Sequence, residues 1–177
     1  MKRIFAGAFS LFLIMSTAPA SLFAKGYTVK IGIKGVGLKT PLEITSPKVR
    51  EFGVWEGPGV HVNGVEQTEG FIVEWRKGIF AQIPAGLKHY EVSFYAGCSM
   101  GDFDCRTSEP SLVYVVSYDY DPSMQQGFIY LPAKDEEAFR LNHAMWHGHG
   151  LEGHWLPATG AWENFIRPLI AEARRYL

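Results

Sequence analysis

The chain has 177 residues, of which 47% are hydrophobic and 14% aromatic, and its 17 basic and 18 acidic residues leave a formal charge of −1. That balance argues against a nucleic-acid binder, which would normally show a basic face. With 19 Gly and 10 Pro, the composition is that of a strand-and-turn protein and not of a helical bundle.

Met1-Lys2-Arg3 precedes an apolar run over 4–15 broken only by Gly7 and Ser10, and small-residue exits follow at Ala18-Pro19-Ala20 and at Ala24. A charged start, a short apolar middle and a small-residue end predict a secretory signal peptide over 1–24, cut after Ala20 or Ala24. The run is shorter than the ~20 residues a membrane helix needs. No Cys stands near the cut, which argues against a lipid anchor. The expectation is an exported protein, secreted or periplasmic, with 25–177 as a single β-rich domain and no stable membrane insertion after cleavage. Loss of Lys2 and Arg3 makes the mature chain more acidic.

Residues 27–34 alternate, with Val29, Ile31 and Ile33 on one face and Thr28, Lys30 and Lys34 on the other, which predicts a strand. The Gly35-Val36-Gly37 that follows is no nucleotide fingerprint, because a third glycine is missing and Pro41 blocks the receiving helix. A short edge strand is predicted over 42–45, between Pro41 and Pro47. Further strands are predicted over 49–55, 71–75 and 79–83. Asn63-Gly64 favours a type I′ hairpin joining 60–62 to 65–67. Residues 89–95 alternate through Tyr90, Val92 and Phe94, and 112–120 is apolar on both faces, as in a strand covered on both sides. Another strand is predicted over 127–131, ended by Pro132.

Residues 139–146 read as a strand by alternation of Phe139, Leu141, His143 and Met145 with Arg140, Asn142, Ala144 and Trp146. A helix is the rival, since Glu136 and Arg140 stand at i,i+4 spacing. At the C-terminus, Trp162, Phe165, Ile166, Leu169, Ile170 and Ala173 recur at helical spacing. Thr159 is its candidate cap, and Pro168 should kink the helix or start a second one. Together the elements predict a mainly β domain: an antiparallel β-sandwich or barrel-like sheet of about eight strands, with a C-terminal helix packed on it.

Cys98-Ser-Met-Gly-Asp-Phe-Asp-Cys105 holds the two cysteines. In an exported protein such a close pair predicts a disulfide between Cys98 and Cys105, worth about 2–3 kcal/mol on the chain-entropy model. A two-thiolate metal site is the rival and would need further ligands nearby.

The richest chemical stretch is 140–155, with His143, His147, His149 and His154 beside Trp146 and Trp155. Three imidazoles with an open position can hold zinc or copper. On a strand, His143 and His147 would be about 13 Å apart, too far to share an ion, whereas His147 and His149 would stand about 6–7 Å apart on one face. His154 or Glu152 would then supply a third ligand. On a helix, His143 and His147 become the pair. No His-Glu-x-x-His is present, so a metalloprotease is not indicated. The plain alternative is a Gly-rich polar loop.

The phrases Pro41-Leu-Glu-Ile-Thr45, Val54-Trp-Glu-Gly-Pro-Gly59, Glu69-Gly-Phe71, Tyr90-Glu-Val-Ser-Phe-Tyr95, Ile129-Tyr-Leu-Pro132 and Glu152-Gly-His-Trp155 resemble hypothetical bacterial exported proteins without an assigned function, over most of the mature chain. The phrases are structural. The resemblance therefore implies no catalytic residue, and it favours the strand reading of 140–146.

No Gly-x-Ser-x-Gly elbow or Ser-x-x-Lys motif occurs, and no catalytic residue is indicated. Glu69, Glu74, Glu91, Asp119 and Asp121 are expected to face solvent or anchor turns. The leading expectation is an exported, non-enzymatic domain that binds a ligand or cell-envelope component and needs no cofactor, with Trp146 and Trp155 as candidate ligand-binding residues. The alternative is a zinc- or copper-binding protein, or a metal-dependent hydrolase, built on the 143–154 histidines.

Overall fold

A computed structural model describes residues 27–54, 61–62, 64–66, 72–97, 109–142 and 150–175. Its strands are β1 (Thr28–Gly35), β2 (Leu42–Ile44), β3 (His61–Val62), β4 (Val65–Glu66), β5 (Lys88–Ala96), β6 (Ser111–Tyr120), β7 (Phe128–Tyr130) and β8 (Trp155–Pro157). Six of them form one antiparallel sheet in the order β2-β1-β5-β6-β7-β8. The edges β2 and β8 do not pair with each other, so the sheet is not closed into a barrel. The protein is mainly β, with the C-terminal helix α2 (Gly160–Arg175) as the layer over one face.

Period-two alternation decides which residues meet that helix. Ile31 and Ile33 of β1, Tyr90, Val92 and Phe94 of β5, Tyr114, Val116, Tyr118 and Tyr120 of β6 and Ile129 of β7 all point inward and are buried. Trp162, Ile166 and Ile170 of α2 meet them, each completely buried. The Trp162 ring sits edge-on to Phe52 and Tyr118 at centroid distances of 5.3 and 5.9 Å, with Phe94 at 6.0 Å.

Thr159 caps the helix as its sequence position suggests, accepting the Trp162 N–H at 3.2 Å. Pro168 starts no second helix: it lies inside one continuous helix, exposed, where its missing N–H removes a single intrahelical bond.

The helix is also tied to the sheet by a buried polar group. Glu163 accepts from the Tyr118 hydroxyl at 2.8 Å and from the Gly127 N–H at 2.7 Å, and it pairs with the Arg167 guanidinium one turn on. Arg167 in turn donates to the Tyr118 hydroxyl at 3.2 Å and to the Met124 carbonyl at 2.5 Å, and lies over the Tyr120 ring. Gly127 is required here, since a Cβ at that position would fall 2.4 Å from a Glu163 oxygen.

Several sequence expectations need correction. The part of 49–55 that is described contains no strand: Pro47–Glu51 is a 3-10 turn, started by Ser46, whose hydroxyl accepts the Lys48 N–H. Val49 and Phe52, three apart, are thereby buried together. Residues 72–75 and 79–83 supply only isolated bridges, Val73 to Ala158 and Phe80 to Trp155, because a 3-10 turn at Trp75–Lys77 and the positive φ of Gly78 break the chain between them.

The strand reading of 139–146 fails in its described part. Glu137–Leu141 is a short helix, α1, ending at Asn142. The Asn142 amide then occupies the open edge of β6 as a strand would, accepting the Val115 N–H at 2.6 Å and donating to its carbonyl at 3.0 Å. The two-sided apolar pattern of β6 has the same origin, since Val115 is covered where α1 and Asn142 lie. The β3–β4 hairpin turns at Gly64, with φ +80°, as Asn63-Gly64 predicts.

A candidate binding face on the outer side of the sheet

The residues between the inward-pointing ones form the opposite, outer face. Cross-strand pairing sets them in rows. One row runs Lys34, Glu91, Ser117, Tyr130, Trp155 and Phe80, from β1 through β5, β6, β7 and β8 to the bridge at its edge. The neighbouring row holds His89, Asp119, Phe128 and Pro157.

The β1–β5 half of this face is charged. Lys34 pairs with Glu91 at 2.8 Å, Lys30 pairs with Glu43 at 3.1 Å, and Lys30 lies over the Tyr95 ring. Such exposed pairs contribute little to stability and mark a solvated surface.

The β7–β8 half is aromatic. Tyr130 and Trp155 are direct cross-strand partners with ring centroids 5.0 Å apart and planes tilted by 42°, and both rings are partly exposed. Phe80 stands edge-on to the buried Phe128 at 5.5 Å and keeps 37% of its surface exposed. The Phe80 N–H donates to the Trp155 carbonyl at 2.8 Å, which fixes the edge of the patch. The Tyr130 hydroxyl donates to Glu136 at 2.7 Å. Its pKa is pushed up to about 12, first by burial and then by that carboxylate and by Asp135 nearby.

Between the halves stands a histidine with an oriented ring. His89 Nδ1 meets Asp119 Oδ1 at 2.7 Å, with the His89 side chain 57% exposed and that of Asp119 only 12%. Burial raises the Asp119 pKa, and the His89 contact opposes that rise. With Asp119 ionised, its carboxylate accepts the Nδ1 proton, and this contact fixes the orientation of the exposed His89 ring.

Among the residues singled out from the sequence, Trp155 lies in the aromatic patch. His154 is partly buried, and its Nδ1 donates to the Glu152 carbonyl at 3.0 Å. Trp146, His143, His147, His149, Cys98 and Cys105 lie outside the described residues. Among the described residues no group of three or more His, Cys, Asp or Glu is placed to hold a metal ion, and no helix is long and apolar enough to cross a membrane.

The sequence pattern does not single out His89, Tyr130 or Phe80, and Asp119, expected to face solvent or anchor a turn, is instead largely buried against His89. Alternation alone puts His89 and Asp119 on outward positions of β5 and β6. Only the register of the two strands makes them partners. Two of the other acids stand as expected: Asp121 anchors its turn by accepting the Ser123 N–H at 2.7 Å, and Glu91 faces outward in its ion pair, while Glu69 lies outside the described residues.

The fold and face define a mainly β domain whose six-stranded antiparallel sheet is covered by a helix on one side and carries partly exposed aromatics on the other. No protein-family model, curated protein or solved structure matches the chain.

Proposed function

We propose that this is an exported, non-enzymatic binding domain whose outer sheet face, centred on Tyr130 and Trp155, holds a ligand or component of the cell envelope. One observation carries the reading: two large aromatic rings stand side by side, partly exposed, on the face opposite the helix. The inner-face rings of Tyr90, Tyr118 and Tyr120 stack at 5.1–5.5 Å, but they are buried between sheet and helix and serve the core. Tyr130 and Trp155, by contrast, keep part of their surface exposed, with the Tyr130 hydroxyl held by Glu136. Large amphipathic rings held at a surface are suited to ligand contact, because they offer apolar area and a polar edge at low entropic cost. The leader over 1–24 supports delivery of this face to the envelope.

The test is co-sedimentation of the purified mature protein with insoluble envelope material. Wild type should sediment and the Trp155→Ala variant should remain in the supernatant, with unchanged circular dichroism in both. Equal sedimentation of the two proteins would refute the assignment of the face.

A further inference from the structure

The outer face carries more than an aromatic patch, and its polar members narrow the ligand. The row Glu91, Ser117, Tyr130, Trp155 places two hydrogen-bonding side chains directly beside two aromatic rings. One step along the strands, His89 is held by the largely buried Asp119. From β5 to β8 this surface crosses three interstrand spacings, about 14 Å.

Resting on the binding-face reading above, we propose that the ligand is a neutral oligosaccharide chain lying across the strands, with one sugar ring on Tyr130 and Trp155 and its neighbours' hydroxyls on Ser117 and His89. A sugar ring has an apolar C–H face and a rim of hydroxyls. Aromatic faces beside an oriented imidazole and a hydroxyl complement both parts at once. The Asp119 contact fixes the His89 ring, and a sugar hydroxyl, which both donates and accepts, can bond its Nε2.

Other ligand classes fit the same surface less well. A lipid chain needs continuous apolar surface, and this row is interrupted by Ser117, Glu91 and Lys34. An added peptide strand needs a free backbone edge, yet the Trp155 carbonyl on the β8 edge already accepts the Phe80 N–H. A polyanion would meet Glu91, Asp119 and Glu136.

The test is isothermal calorimetry and tryptophan fluorescence of the mature protein with two probes, the tetramer of β-1,4-linked N-acetylglucosamine and cellotetraose. At least one should bind saturably. Trp155→Ala should weaken binding about tenfold or more, and the exposed-site variant His89→Ala about fivefold, values matching one stacked ring and one hydrogen bond. His89→Ala guards against a folding artefact in Trp155→Ala, and the near-ultraviolet signal of the core ring Trp162 reports on folding in both.

Absence of saturable binding by both probes up to about 10 mM, while envelope material still sediments in a Trp155-dependent way, would overturn the saccharide and leave the binding face standing. Saccharide binding indifferent to both substitutions would overturn the placement. Loss of both sedimentation and saccharide binding would overturn the two readings together.

Discussion

Replacing Glu163 by Ala tests the network that fastens the helix to the sheet. The substitution removes the acceptor of the Tyr118 hydroxyl and of the Gly127 N–H and leaves Arg167 without its carboxylate. Breaking a buried pair by deleting one partner costs about 3–5 kcal/mol, mostly through the group left behind. Here Arg167 keeps 19% of its side chain exposed and retains the Met124 carbonyl and the Tyr118 hydroxyl. Its stranding is therefore partly relieved, and the lower end, about 3 kcal/mol, is expected. For a domain of this size that lowers Tm by about 6–12 °C. Urea unfolding of Glu163→Ala, Arg167→Met and the double variant gives the coupling between the two side chains. The double should be about 1–2 kcal/mol more stable than the sum of the singles implies, because with both gone no charge is left unpaired. A loss below about 1 kcal/mol in Glu163→Ala, or strict additivity, would show that Glu163 behaves as a surface residue and that the geometry has been misread.

Gly127→Ala should destabilise by about 2–4 kcal/mol, because its Cβ would enter the space of Glu163 and Tyr118, whereas Gly32→Ala meets only ordinary contacts near 3.5 Å and should be neutral or slightly stabilising. Equal effects in thermal melts would refute the distinction. Trp162→Ala should cost about 3–5 kcal/mol in urea unfolding, since the ring is completely buried among four aromatic neighbours. Asp119 has a folded-state pKa above its ordinary 3.8, so the folded state holds the proton more tightly. Its contribution is fully present below that value and is lost as pH rises through the raised folded value. Asp119→Asn should remove this slope from urea midpoints measured across the acid range, and an unchanged slope would contradict the burial argument. Mass spectrometry of protein recovered from outside the cytoplasm should show a mature chain cut after Ala20 or Ala24 with Cys98 and Cys105 joined. An intact Met1 with two alkylatable thiols would count against both expectations.

The sequence by itself determined the elements whose signal is local. The period-two runs of β1, β5 and β6, the turn at Gly64 and the apolar stripe of α2 with its Thr159 cap all follow from side-chain spacing within one segment. For that reason Trp162 could be placed in the core before any tertiary information. Tertiary structure decided what depends on partners far along the chain. Residues 139–141 are helical despite the alternation read over 139–146, and the Asn142 that follows bonds the open edge of β6 at Val115, 27 residues away. Glu163 looks like one acid on a helix, and only the approach of Tyr118 and Gly127 makes it a buried link. The candidate face has the same origin. Tyr130 and Trp155 lie 25 positions apart, His89 and Asp119 are separated by 30, and strand register joins each pair. Alternation can say which side of a strand a residue takes, but not which residue stands opposite, because register is settled by the packing of the whole sheet.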